Sequence, residues 1–258
     1  MLTAELIEEN WTKFLQILKN FIPDTHDDTN RWCKIYTFYD KYAQRIAMMP
    51  ASSKTSYHSA FLGGYIFHIL KVYECSFKVK DIWSEMGAII DFTDEELAMV
   101  AINHDLGKFG SEEHEMYIDQ DSEWHKKNRG EKFKSNPLLS FMKIQDRSLF
   151  ILQSLGINLT ENEYLGIKLH DGLYEEGNKG YYVAFSEEYK LRSNLPYIIH
   201  QGDLMAARIE GDLLKKPIQQ NIKRIIPDVP KNDRQPLNEG ASVKPKSSNK
   251  LLKKFLSV

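Results

Sequence analysis

Cysteine is nearly missing from this chain. Cys33 and Cys75 are the only two in 258 residues, which excludes a disulfide framework and points to a reducing, cytoplasmic setting. Uncharged apolar runs of about 20 residues, the length needed to span a bilayer, are also missing, so no membrane partner is expected. The first ten residues are acidic and lack the basic flank and cleavage site of a secretory signal. Strong net charge is lacking too, since the balance is −2. That small value hides an asymmetry: residues 215 to 258 carry 11 Lys or Arg against 3 Asp or Glu, which leaves residues 1 to 214 at −10. An acidic body argues against broad, non-specific duplex binding. A small phosphorylated substrate stays compatible with it, because a bound metal ion reverses the sign of the field locally.

What is present is an ordinary globular composition, 42% hydrophobic and 27% charged, with enough chain for a sizeable core. Apolar residues recur at helical spacing over residues 4 to 22, where Pro23 ends the pattern, and over about 29 to 48. The second segment carries an aromatic stripe, Trp32, Tyr36, Tyr39 and Tyr42, that reads as core packing rather than a base-stacking surface. Further helices are expected over about 60 to 80, after the capping boxes Thr93-Asp-Glu-Glu96 and Thr160-Glu-Asn-Glu163, over 147 to 155, and from about 194 to 214. Residues 110 to 136 read as an elaborated polar loop, and Tyr181 to Phe185 as a short strand or an apolar strap. The spacing therefore predicts an all-α domain over residues 1 to 214, with its core at about 57 to 210. A basic, proline-containing tail follows over 215 to 258. It ends with Leu251, Leu252, Phe255 and Leu256 on one face of a short helix, either for docking to a partner or for packing back on the domain.

The chemistry-bearing residues centre on Asn103-His104-Asp105-Leu106-Gly107-Lys108. Neighbouring side chains on a helix point roughly 100° apart, so His104 and Asp105 share a ligand only if both lean toward one cavity. Such a nitrogen and carboxylate suit a hydrated divalent metal, Mn, Fe, Mg, Ni or Zn. The simpler reading is a helix C-terminus in which His104 caps carbonyls, Gly107 is left-handed and Lys108 complements the dipole. His68 lies in an apolar helix pattern, where a lone histidine is ordinarily a core residue. The Gly63-Gly64 pair costs a helix about 1 kcal/mol per glycine, so another backbone or a ligand is expected to come close there. His58 precedes His68 by ten residues, near the helix start, and is expected to face the same cavity from its rim. His114 and His125 fall in the polar loop; His125, beside Trp124 and followed by Lys126, Lys127 and Arg129, is a candidate for substrate binding.

The series His58-Ser-Ala-Phe-Leu-Gly63-Gly64-Tyr-Ile-Phe-His68, then His104-Asp105, then Ile198-Ile-His200-Gln-Gly-Asp203 resembles the HD-domain metal-dependent phosphohydrolases. It is most similar to the exoribonuclease, relaxase-associated and phage-type branches, over about residues 57 to 208. The resemblance implies an HD-type helical bundle with a flexible C-terminal tail. It implies that His68, His104, Asp105 and Asp203 hold one divalent ion, with a second left open. Asp105, Lys108 and His170 would be catalytic, His170 as a second-site ligand or as an acid for the leaving oxygen. His58, Lys108, His125 and Arg147 would meet the substrate. Two-metal relatives carry a histidine pair where this chain has His170-Asp171, and often a further histidine where it has Asp146 or Arg147. The implied activity is hydrolysis of a phosphoester or phosphoanhydride in a nucleotide or a single-stranded nucleic-acid end. The alternative is a binding module that recruits a replication or transcription partner, because residues 249 to 258 resemble sliding-clamp-binding peptides.

Overall fold

The computed structural model describes residues 2 to 23 and 29 to 215, so the expected tail and its interaction peptide lie outside the described residues. Among the described residues there are ten α-helices, four short 3-10 turns and one two-stranded hairpin. The all-α expectation holds.

Helix α1 (Ala4–Lys19) starts at Thr3, whose hydroxyl accepts from the Leu6 amide, and buries Ile7, Trp11, Phe14 and Leu18. The helix expected over 29 to 48 is two helices, α2 (Arg31–Lys41) and α3 (Ala43–Met48), because Tyr42 leaves helical geometry at φ −107°. Its aromatic stripe is core: Trp32 stacks on Phe21 at 4.6 Å, and Tyr39 meets Phe14 edge-on at 4.7 Å. Helix α4 (Gly64–Glu85) follows the left-handed N-cap Gly63 and starts about four residues later than the spacing predicted. Helix α5 (Asp94–Asn103) opens with the complete Thr93–Glu96 capping box, and every residue from Leu97 to Asn103 is buried. A helix apolar on all sides belongs in the middle of a domain, and α5 lies between α4 and α8 (Glu161–Leu169).

The region expected to be loop is more ordered than its polarity implied. Strands β1 (Tyr117–Asp119) and β2 (Phe133–Ser135) pair antiparallel around α6 (Glu123–Arg129). This strap is tied to the loop before α4 by the Thr55 amide donating to the Gly130 carbonyl at 2.8 Å. Helix α7 (Ile144–Ser154) leads to α8, which opens with the second capping box, Thr160–Glu163. No strand forms over Tyr181 to Phe185; α9 (Lys179–Tyr182) takes part of it, and Phe185 is 97% exposed. Local β-preference had no partner strand there. Helix α10 (Leu195–Lys215) lies along α4 so closely that a Cβ on Gly202 would stand 2.2 Å from Ser76 Oγ. Among the described residues no helix is long and apolar enough to cross a membrane.

Candidate metal centre

At the end of α5 the chain solves the problem of aiming two adjacent side chains at one point. His104 is the C-cap with helical backbone, and Asp105 turns out of the helix at φ −103°, ψ 11° into a 3-10 turn, Leu106–Phe109. Gly107 is not the left-handed cap; it is small because α7 comes close, and a Cβ there would lie 2.1 Å from the Ile144 carbonyl oxygen. Ser148 of α7 pins this turn, its hydroxyl donating to the His104 carbonyl at 2.9 Å and accepting from the Gly107 amide at 2.7 Å.

Three imidazoles face the turn, and their second nitrogens define their tautomers. His104 Nδ1 lies 3.0 Å from the Ala101 carbonyl, and His170, the C-cap of α8, repeats the arrangement with Ile167 at 2.8 Å. A carbonyl only accepts, so Nδ1 carries the hydrogen and neutral Nε2 offers a lone pair. His68 Nδ1 is 2.8 Å from Glu210 Oε1, which likewise leaves Nε2 facing inward. Around these nitrogens, His68 Nε2 stands 3.2 Å from Asp203 Oδ1 and 3.7 Å from Asp105 Oδ2. His104 Nε2 is 3.5 Å from Asp105 Oδ2, and His170 Nε2 is 3.8 Å from Asp105 Oδ1. Ligands at the corners of an octahedron with bonds of about 2.1 Å stand about 3 Å apart along its edges, so these spacings suit donors gathered around one small ion.

Hydrogen bonding makes the same point. His68 Nε2, His104 Nε2 and Asp203 Oδ1 are buried without a hydrogen-bond partner. The 3.2 Å approach of His68 to Asp203 is not aligned as a hydrogen bond; both atoms face a common space. Unpaired buried polar atoms are costly, and a cation at that space would satisfy all three. Three overlapping donor sets meet there: His58, His68 and Asp105; His68, His104 and Asp203; His104, Asp105 and His170. Imidazole and carboxylate donors in this mixture fit a divalent metal, though not one metal in particular.

The fields of the buried groups agree. Burial alone would raise the Asp105 carboxyl, but Lys108, His104 and His170 hold it well below the carboxylate range. Asp203 is held low in the same way, against burial, by His68, His104 and His170. Burial disfavours charge on His68, yet Glu210 and Asp203 outweigh it and lift its pKa to about 10. His170 is also raised, Asp171, Asp105 and Asp203 outweighing burial. His58 goes the other way, to about 2, through burial and the proximity of His68 and Lys108.

Most of the expected site residues converge. His68, His104, Asp105, Asp203 and His170 form the cluster, and the Lys108 ammonium bonds Asp105 Oδ2 directly. His58 lies in the loop before α4, not at a helix start, and its ring stacks on His68 at 4.1 Å with Nε2 buried and unpartnered. His125 and Arg147 are not brought into the cluster. His125 bonds Ser122 Oγ at 2.7 Å within α6, and Arg147 packs behind Gly107 and donates to the Ser140 carbonyl at 2.6 Å. Asp146 pairs with Lys168. Two residues escaped the sequence reading. Glu210 had a signal, an acidic residue two turns beyond Asp203 and on the same helix face as the buried Ile199 and Ala206; Ser59 had none.

No known family, curated protein or solved structure matches this chain. Fold and site define a class by themselves: a mainly helical protein with a buried His/Asp cluster that can hold a metal ion.

Proposed function

We propose that this chain is a metal-dependent phosphohydrolase of the HD type. It would cleave a phosphoester or phosphoanhydride bond in a nucleotide or at a single-stranded nucleic-acid end. The observation that carries the reading is the convergence of His68, His104, Asp105 and Asp203, in the order His, His-Asp, Asp, on a space where three of their donor atoms are buried and unpartnered. The chemistry that a divalent ion supplies when bound there is a water of lowered pKa and neutralisation of phosphate charge.

The chain's own groups complete the reaction. Lys108 is buried beside Asp105, which outweighs burial and keeps its ammonium charged, ready to meet a phosphate oxygen as charge develops. Burial disfavours charge on His170, yet Asp171 and Asp105 raise its pKa, which suits it to carry a proton to the leaving oxygen. Asp203, the most exposed of the proposed ligands with 19% of its side chain accessible, would face an arriving substrate. A cavity of about 600 Å³ shares Lys108 with the site and is lined by Tyr42, Met48, Met49, Leu62, Tyr117 and Phe133. These apolar and aromatic side chains, which share the lining with Lys41, Gln44, Arg45, Glu115 and Asp119, suit the organic part of a phosphorylated substrate.

The test is metal analysis of the purified protein, followed by phosphate-release assays over nucleotides and short oligonucleotides for the wild type and Asp105→Ala. Release by the metal-loaded wild type alone is expected. No release from any substrate by the metal-loaded wild type would end this reading.

A further inference from the structure

Glu210 of α10 is a fully buried carboxylate with both oxygens engaged. Oε1 stands 2.8 Å from His68 Nδ1, and Oε2 accepts from Ser59 Oγ at 2.5 Å. An apolar residue of similar size would ordinarily serve packing as well or better than a buried charge. Its retention needs another reason.

The loop around Ser59 supplies an independent observation. Among the described residues Ser59 is the only non-glycine with positive φ, +48°, and it is fully buried. Its carbonyl oxygen stands where a Cβ on Gly64 would be, at 2.0 Å. A non-glycine residue in this region costs about 1–3 kcal/mol and persists only where its surroundings impose it. Here the strained backbone and the side-chain-free Gly64 together bring one hydroxyl against Glu210.

Helix position explains why His68 differs from the other two histidines. His104 and His170 are C-caps, where the last carbonyls of a helix have no intrahelical partner and can accept from Nδ1. His68 is in the interior of α4, where helix amides already occupy the carbonyls. Its Nδ1–H must find an acceptor on another element. Asp203 and Glu210, seven residues apart on α10, meet the two nitrogens of the same ring.

We propose that Glu210, oriented by Ser59, is a positioning residue that presents His68 Nε2 to a metal ion and strengthens it as a donor. By accepting from Nδ1, the carboxylate selects the Nε2 lone pair, holds the ring plane and adds electron density to the imidazole. His104 and His170 receive only a neutral carbonyl, so His68 is the strongest imidazole donor of the three. The inference rests on the metal reading of the centre.

The experiment compares Mn²⁺ and Zn²⁺ affinity, by calorimetry on the ion-free full-length protein, for the wild type, Glu210→Gln and Ser59→Gly. Thermal unfolding of the ion-free proteins and the His68 ring state in the Zn²⁺-loaded proteins, read from ¹⁵N imidazole shifts, are measured beside it. Glycine accepts the +48° backbone without strain, so Ser59→Gly remains informative if Glu210→Gln fails to fold. Expected are a loss of roughly 10–100-fold in ion affinity for Glu210→Gln, a smaller loss for Ser59→Gly, and a hydrogen on His68 Nδ1 in the Zn²⁺-loaded wild type. Unchanged affinity in the folded variants, or a Zn²⁺-loaded wild type in which His68 Nδ1 carries no hydrogen, overturns the role of Glu210 while leaving the metal centre standing. A wild type that binds neither ion overturns the metal reading, and this inference with it.

Discussion

Asp105 is the residue on which the centre turns, since its two oxygens face His68, His104, His170 and the Lys108 ammonium together. Asp105→Ala is therefore expected to lose both bound ion and hydrolysis. Lys108→Met tests a different step. The ammonium competes with a metal ion for Asp105 Oδ2, so its removal should leave metal content at or above the wild-type level. Turnover should fall roughly 100-fold through loss of a charge that stabilises the transition state. Metal content measured beside turnover separates the two variants, and a Lys108→Met protein as metal-poor as Asp105→Ala would refute this role. Residue types, their order and the family resemblance they carry together singled out His68, His104, Asp105 and Asp203 as candidate ligands, and these the structure brings together. They also selected His125 and Arg147, because neither composition nor spacing shows that one is held by Ser122 and the other by Ser140.

At the scale of elements, the crossing of α4 and α10 decides whether His68 and Asp203 meet. Gly202, beside Asp203, has Ser76 atoms at 2.2, 2.8 and 2.9 Å from where its Cβ would stand, whereas Gly211 of the same helix has nothing within 4 Å. Gly202→Ala should destabilise the protein by about 1–3 kcal/mol through overpacking, and should weaken metal binding by displacing α10. Gly211→Ala should instead stabilise it by about 0.5–1 kcal/mol through helix propensity. Urea unfolding reads both, and equal effects at the two positions would contradict the close crossing. Helices were readable from apolar spacing and from the Thr93 and Thr160 capping boxes. The break at Tyr42 and the hairpin over 117 to 135 were not, since each depends on what the segment packs against.

Over the whole molecule, α4, the end of α5, the end of α8 and α10 are brought to one point, and a bound ion would tie them together. Binding to the folded state alone stabilises by about 2.7 kcal/mol at a hundred-fold excess over Kd, or roughly 5–10 °C in unfolding midpoint for a domain of this size. Scanning calorimetry with a divalent ion and then with excess chelator should show that difference. Coincident midpoints would argue against an ion joining these helices.

The sequence by itself determined the helical class, the capped helix starts and the identity of the four candidate ligands. The class and the helix starts follow from periodicity and side-chain chemistry that act over a turn or two of chain, and the four candidates from the family resemblance of the ordered His, His-Asp and Asp segments. Only the tertiary structure decided that Gly107 makes room for α7, that His58 stacks on His68, and that Glu210 and Ser59 stand behind that histidine. Glu210 reaches His68 across 142 residues and Ser59 across 151. Contacts at that separation depend on how α10 lies against α4 and on a strained turn at Ser59, and no local rule of spacing encodes either.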